Sequence, residues 1–269
     1  MNVALALVAC TLAVVAGVRS TWSPCGLSML ATITPLAERG RGHRYRTTAA
    51  WFVVGSVLGG ASLGLVMALL ASAVATLGAS VTELASVAIV AGAITIAADA
   101  RIGGFRLPTH GRQVNERWLD QFRPWVYGAG FGWQIGTGLV TYIKTCAVYL
   151  MIVVAALTGS PDVAILVGVL FGLVRGLAVL LGRRITSTTA LADFHRRFMA
   201  ADRYALAAII FCETTATLAL LVLVSPTIGG AVAGVLSLVL VVWSLCRQRH
   251  QEAAHDMTTS VTTRSATVR

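Results

Sequence analysis

Apolar segments long enough to cross a lipid bilayer recur along almost the whole chain. A membrane-spanning helix needs about 20 mostly apolar residues to cross a hydrocarbon core of ~30 Å. Seven such segments are predicted, at approximately residues 3–36, 48–72, 80–100, 126–158, 162–182, 204–224 and 228–246. Because 57% of the 269 residues are hydrophobic and only 12% are charged, a soluble globular domain is excluded. The sequence therefore predicts an all-α integral membrane protein with about seven transmembrane helices.

The arginines alternate from loop to loop. Those in the loops after the first, third and fifth predicted spans are Arg39, Arg41, Arg44, Arg46, Arg101, Arg106, Arg112, Arg117, Arg123, Arg183, Arg184, Arg196, Arg197 and Arg203. The loops after the second, fourth and sixth spans contain neither arginine nor lysine. Since basic loops stay in the cytoplasm, we expect a multi-pass protein of the bacterial inner membrane with its N-terminus outside and its C-terminus inside.

The two ends of the chain differ from this pattern. The N-terminal segment lacks a basic region and a small-residue cleavage site, so we expect it to be kept as the first helix. Residues 247–269 are rich in Thr, Ser, Arg and His without apolar periodicity, which predicts a disordered cytoplasmic tail. The predicted membrane domain is then residues 1–246.

The first and fourth spans are too long for one straight crossing, because each would measure about 50 Å as an unbroken helix. The candidate break in the first is Ser23-Pro24-Cys25-Gly26, within "TWSPCGLSML". In the fourth it is a series of glycines, namely Gly128, Gly130, Gly132, Gly136 and Gly138. Irregular backbone is tolerated in a membrane only where it is buried in protein or lines a cavity. Two broken spans therefore predict one shared interior site.

The two breaks also align with each other. "GVRSTWSPCGLSML" from Gly17 and "GLVTYIKTCAVYLM" from Gly138 match at both glycines and at Cys25 and Cys146. The second and fifth spans each carry glycines at four-residue spacing, which is typical of close helix packing. These glycines are Gly55, Gly59, Gly60 and Gly64, and Gly168, Gly172 and Gly176.

This correspondence predicts two repeats of three helices, at about residues 1–100 and 126–224. Because each repeat crosses the membrane three times, the two must be inverted relative to each other. The helix at 228–246 is then an addition.

Two cytoplasmic segments, residues 113–123 and 190–200, place their apolar residues on one helical face. One interpretation is that both lie flat on the membrane with their arginines on anionic lipid. The other is that they are ordinary amphipathic helices that pack on the bundle.

The chain has five cysteines, without the spacing of a zinc site. Cys10, Cys212 and Cys246 are interpreted as packing residues. Cys25 and Cys146 are the candidate catalytic pair, because inverted repeats bring equivalent positions together, where two thiols can exchange a disulfide. A helix that restarts at Pro24 would direct its N-terminal N–H groups and positive dipole toward Cys25. The alternative is that Pro24 only kinks the span and both cysteines fill space.

Ionisable residues inside the predicted spans are costly and are functional candidates by default. Lys144, the only lysine, lies in the fourth span, with the alternative that it reaches the membrane surface. Arg175 in the fifth span and Glu213 in the sixth either pair with each other or support the thiol chemistry.

These residues resemble the cytochrome c biogenesis transmembrane family, of the CcdA type and the DsbD membrane domain. "WSPCGLSML" is similar to that family's first cysteine motif, and "GAGFGW" to the start of its fourth span. The family's second cysteine usually follows a proline close to this glycine-aromatic stretch, whereas Cys146 follows Thr145. A different alignment would put Gly136 at the cysteine position.

The resemblance implies a thiol–disulfide relay without cofactor or metal. Its implied partners are cytoplasmic thioredoxin and an extracytoplasmic thioredoxin-like or cytochrome c maturation protein. A small-solute or ion transporter, with Arg19, Lys144, Arg175 and Glu213 along its path, is the first alternative. A non-catalytic assembly partner is the second.

Overall fold

A computed structural model describes residues 2–108 and 121–225, and all regular structure within these ranges is helical. The α-helices are α1 (Asn2–Arg19), α2 (Pro24–Thr32), α3 (Pro35–Gly40), α4 (Tyr45–Thr76), α5 (Val81–Asp99), α6 (Pro124–Thr137), α7 (Ala147–Leu157), α8 (Pro161–Leu177), α9 (Thr188–Ala200) and α10 (Asp202–Val224). Short 3₁₀ segments occupy Ser20–Trp22, Ile102–Gly104 and Ala178–Arg184.

Five of the described helical segments are long and apolar enough to cross a membrane. They are Val3–Trp22, Tyr45–Thr76, Val81–Asp99, Pro161–Arg184 and Thr188–Val222. The predicted second, third, fifth and sixth spans correspond to α4, α5, α8 and α10. The predicted span at 228–246, the tail at 247–269 and most of the segment at 113–123 lie outside the described residues.

The first predicted span is broken where the sequence indicated. After α1 and the 3₁₀ turn, α2 begins with Pro24 as its first residue, and the Ser23 hydroxyl accepts a hydrogen bond from the Gly26 N–H at 3.2 Å. Proline suits the first helical position because its missing N–H would have no partner there. The prediction of a break at this motif is confirmed.

The fourth predicted span is also divided, into α6 and the shorter α7. Gly138 has φ +71° and ends α6, which requires a residue without a side chain. The other glycines of the series do not break the helix: Gly128 to Gly136 lie within α6. The break is therefore narrower than the predicted series.

Helix α4 packs against both α6 and α8 through glycines. These contacts lie within the compact unit Met1–Leu220. An ideal Cβ on Gly60 would lie 2.3 Å from the Gly168 carbonyl oxygen, and one on Gly132 would lie 2.1 Å from that of Phe52. Backbones approach this closely only where side chains are absent. The predicted glycine faces of α4 and α8 thus form one shared interface, while the repeat symmetry itself stays a prediction.

Candidate functional site

Cys25 lies in the first turn of α2 and is 1% exposed. It belongs to an apolar cluster with Met29, Phe52 and Phe131, so residues from α2, α4 and α6 surround it. The N-terminal N–H groups of a helix favour negative charge nearby. The local structure thus gives Cys25 the helix-terminal position that Pro24 predicted.

The guanidinium of Arg175, near the end of α8, interacts electrostatically with Cys25. Arg175 is 3% exposed, and its Nη2 makes no hydrogen bond with any described residue. Its guanidinium lies 5.6 Å from the centre of the Phe171 ring, and a Cβ placed on Gly138 would lie 3.7 Å from its Nη1. Arg175 therefore lies close to the second break and also interacts with the thiol at the start of α2.

Trp22, just before the Ser-Pro-Cys motif, contacts the amphipathic helix α9. The Trp22 ring stacks on Phe198 with centroids 4.4 Å apart and planes 5° apart. Its indole N–H donates to the Phe198 carbonyl oxygen at 2.8 Å. For residues 190–200, this contact favours a helix packed on the bundle.

Cys146 is the residue before α7 and is 5% exposed. Its backbone N–H donates to Asp99 Oδ1 at 2.8 Å, and the Thr145 hydroxyl donates to Asp99 Oδ2. Asp99 is the last residue of α5. A carboxylate from another helix thus caps α7, a role that α7's own sequence could not reveal.

A polar cavity of about 540 Å³ opens beside Cys146, and Lys144 and Asp99 also line it. Asp202, at the start of α10, lies 2.5 Å from Arg19 Nη1 and 3.9 Å from Lys144 Nζ. Two predicted basic residues therefore meet at an aspartate that the sequence analysis missed. The sequence feature that could have identified Asp202 is its position just before a predicted span, where a helix begins.

Glu213 in α10 is fully buried, and neither of its carboxyl oxygens has a hydrogen-bond partner among the described residues. Its electrostatic neighbours are Asp99 and Cys146. No ion pair within the described ranges joins it to Arg175. The structural pairing considered for these two residues is not observed.

A second buried carboxylate, Glu38 in α3, is fully paired. Tyr127 donates to it at 2.7 and 2.8 Å, Thr48 at 2.6 Å and Arg41 at 3.0 Å. This network ties α3 to α4 and α6 and has a structural explanation. It shows how this fold satisfies a buried carboxylate when only packing is required.

The structure thus brings Pro24 and Cys25 together with Arg175. It places Lys144 and Cys146 on one cavity, with Glu213 as an electrostatic neighbour of Cys146. The direct pairing of Cys25 with Cys146 stays a prediction. Within residues 2–108 and 121–225, no group of three or more His, Cys, Asp or Glu side chains is arranged to hold a metal ion.

Comparison with known proteins finds relatives of one kind. The chain is 34% identical over 173 residues to the methylamine utilization protein MauF of Paracoccus denitrificans, covering 62% of this chain and 60% of that protein. It is 33% identical over 176 residues to MauF of Methylophilus methylotrophus, covering 62% and 59%. It is 29% identical over 207 residues to MauF of Methylobacillus flagellatus, covering 72% and 71%.

The alignments thus span about 60% of the length of the first two of these relatives. No protein-family model matches the chain, and no solved structure does. The chain is thus similar in sequence to proteins named methylamine utilization protein MauF. The resemblance to the cytochrome c biogenesis family stays a prediction.

Proposed function

We propose that this protein is a membrane accessory protein that passes reducing equivalents across the bilayer by thiol–disulfide exchange between Cys25 and Cys146. The observation that carries the proposal is the matching position of the two cysteines. Each lies at the start of a helix that begins after a break in an apolar segment, Cys25 in α2 and Cys146 at α7. Packing alone does not require both thiols to occupy helix starts.

The surroundings of Cys25 support nucleophilic chemistry. Thiolates are the reacting species in disulfide exchange, and positive charge or a helix N-terminus stabilises them. Cys25 has both, the first turn of α2 and the guanidinium of Arg175. The unpartnered Nη2 of Arg175 leaves its N–H groups available for a negative charge.

The surroundings of Cys146 support access from outside the bundle. The adjoining cavity of about 540 Å³ is within the usual size of ligand sites. The positive-inside rule assigns Arg101 and Arg106, which also line the cavity, to the cytoplasmic side. In the proposed orientation, cytoplasmic thioredoxin reduces the protein from this side, and an extracytoplasmic thioredoxin-like protein receives the electrons.

The biological setting follows from the relatives, whose name refers to methylamine utilization. We infer that this protein serves an accessory role in the same process. Growth on methylamine tests this in a host that lacks its own MauF: restored growth supports the role. Failure of a well-expressed protein to restore growth contradicts it.

Trapping thiols tests the exchange itself. Membranes containing the protein are treated with a maleimide reagent before and after incubation with reduced thioredoxin, and labelled cysteines are identified by mass spectrometry. Cys25 and Cys146 are expected to change together. Cys25→Ser and Cys146→Ser should each abolish the change, whereas Cys10→Ser and Cys212→Ser serve as matched controls. If neither thiol changes state in the wild-type protein, the relay is wrong.

One observation favours a second candidate, a pathway for a small solute or ion. Arg19, Lys144 and Asp202 form a charged cluster on the wall of the cavity. In a transporter, Lys144→Gln would abolish uptake while Cys25→Ser would leave it unchanged. In a relay, Cys25→Ser would abolish thiol–disulfide exchange, and Lys144→Gln would have the smaller effect.

A further inference from the structure

Among the residues that the structure describes, Glu213 has a buried carboxyl group without a hydrogen-bond partner. It is fully buried in α10, and both carboxyl oxygens lack a hydrogen-bond partner among the described residues. Glu38, equally buried, is satisfied by Tyr127, Thr48 and Arg41. The contrast shows that Glu213 is not explained by the packing that accounts for Glu38.

An isolated ionised carboxylate is too costly in apolar surroundings to persist, so such a group binds a proton or a cation. The described ion pairs do not include Glu213. Thr95 on α5 is close enough to interact with the Glu213 carboxyl group, but its single hydroxyl proton is donated to the Gly92 carbonyl oxygen at 3.0 Å. Glu213 therefore needs a bound ligand of positive charge.

A proton fits this position better than a metal cation. Metal ions of biological sites take several oxygen or nitrogen ligands. Within the described ranges, no cluster of three or more His, Cys, Asp or Glu side chains surrounds Glu213. Its charged and titratable neighbours are Asp99 from α5 and Cys146 from the start of α7.

Glu213 also lies next to a route toward the cavity. Leu206 and Ile210 of α10 line that cavity, and Glu213 follows Ile210 by three residues on the same helical face. On α5, Thr95 precedes Asp99 by four residues, so both share one face, and Asp99 reaches the cavity. The buried carboxyl and the Cys146 cavity therefore share one face of α10 and one face of α5, and the polar side chains between them are Thr95 and Asp99 of α5.

We propose that Glu213 is a proton-binding site that exchanges protons with the cavity through Asp99 and supplies the thiol chemistry at Cys146. The inference rests on the proposed relay. Consider a disulfide between Cys146 and a second sulfur atom. When a thiolate attacks that second sulfur, a new S–S bond forms there and the bond from the second sulfur to Cys146 breaks. The electron pair leaves on Cys146 Sγ, which takes a proton from Glu213 by way of Asp99. Glu213 regains a proton from solvent in the cavity.

Infrared difference spectroscopy tests the site directly. The purified protein in lipid vesicles is expected to show a protonated-carboxyl band that is lost in Glu213→Gln and shifted in Glu213→Asp. Asp162→Asn, at an exposed aspartate of α8, is the matched control and should keep the band. Because the aspartate variant retains a carboxyl group, a folding defect in the glutamine variant does not decide the outcome.

Two further measurements connect the band to the cavity and to the thiols. Transfer to heavy water should shift the band, and alkylation of Cys146 with a bulky maleimide should slow that shift several-fold. The band should also change in amplitude between the reduced and oxidised protein. A band that is absent, or one that depends on sodium concentration, overturns the proton site.

The two hypotheses fail separately. If thioredoxin does not change the state of the cysteines but the Glu213 band is present and exchanges through the cavity, the relay fails and the proton site stands. If the cysteines of the Glu213→Gln variant exchange disulfides at the normal rate, and this rate depends on pH as in the wild-type protein, then the proposed role of Glu213 is contradicted and the relay stands.

Discussion

The two cysteine regions are built in opposite ways. Cys25 lies in an apolar cluster beside a buried guanidinium, in a helix start capped by its own neighbour, Ser23. Cys146 lines a polar cavity, its helix start is capped by Asp99 from another helix, and its neighbours are carboxyl groups. Both thiols are buried, but Cys25 lies beside positive charge in an apolar cluster, whereas Cys146 lies beside negative charge at the wall of a polar cavity.

This difference suggests separate tasks for the two thiols. Positive charge stabilises the thiolate that attacks, whereas carboxyl groups are suited to give or take protons. In the proposed relay, Cys25 is the interior nucleophile and Cys146 is the thiol that meets the partner. Two equivalent positions of a repeat would have become specialised through Arg175 on one side and Asp99 with Glu213 on the other.

The largest expected effect is at the break before Cys146. Gly138→Ala forces a side chain into a positive-φ position and places its Cβ 2.7 Å from the Phe171 ring, so we expect a loss of stability of about 3 kcal/mol. Gly159 also has positive φ, but its nearest contact is 3.9 Å away. Gly159→Ala is therefore the matched control, at about 1 kcal/mol. Thermal unfolding in detergent measures both, and equal losses would contradict the importance of the Phe171 contact.

The second-largest effect is expected when the cap that Asp99 provides for α7 is removed. Asp99→Ala leaves the Cys146 N–H and the Thr145 hydroxyl without their acceptor, which should cost about 2 kcal/mol. Asp162→Ala, at an exposed position, should change stability little. Denaturant titration compares the two variants. A loss no greater than that of the control would show that α7 begins without Asp99.

The charge beside Cys25 is expected to control its reactivity. Arg175→Gln should slow alkylation of Cys25 about tenfold, equivalent to ~1.4 kcal/mol, while Cys146 keeps its rate. Arg184→Gln, at an exposed arginine, is the control. Rates from quantitative mass spectrometry of labelled peptides decide the matter. An equal change at both cysteines would remove the proposed difference between the two regions.

The smallest effect is at the local cap of α2. Ser23→Ala removes the acceptor for the Gly26 N–H and should cost about 1 kcal/mol. Ser160 occupies the same position before α8 but makes no capping hydrogen bond with its side chain, so Ser160→Ala should cost less. Thermal unfolding of the two variants gives the difference. A larger loss in Ser160→Ala would contradict the role of the Ser23 cap.

The features predictable from sequence are those that one segment determines. Pro24 and Gly138 mark the breaks because each restricts or permits backbone conformations locally. Helices α4, α5, α8 and α10 were predictable because long apolar runs specify them.

The partners of the site were not predictable in the same way. Asp99 and Asp202 form hydrogen bonds and ion pairs with residues that are distant in the sequence, and the residues around each aspartate do not indicate which partners these are. A pairing of Arg175 with Glu213 is one interpretation of the sequence, because both are charged residues in apolar spans. Charge alone does not fix which faces of two helices meet, and the structure leaves these two without a common ion pair.

The glycine contacts of α4 have a consequence for synthesis in the membrane. Residues of α6 and α8 cover the faces of α4 at Gly60 and Ser56, so these faces have no final neighbour until the ribosome has made residue 177. Helices that insert separately associate afterwards in the bilayer. Until α8 has been made, the Gly60 face of α4 therefore has lipid as its neighbour, and its close backbone contact with Gly168 forms only afterwards.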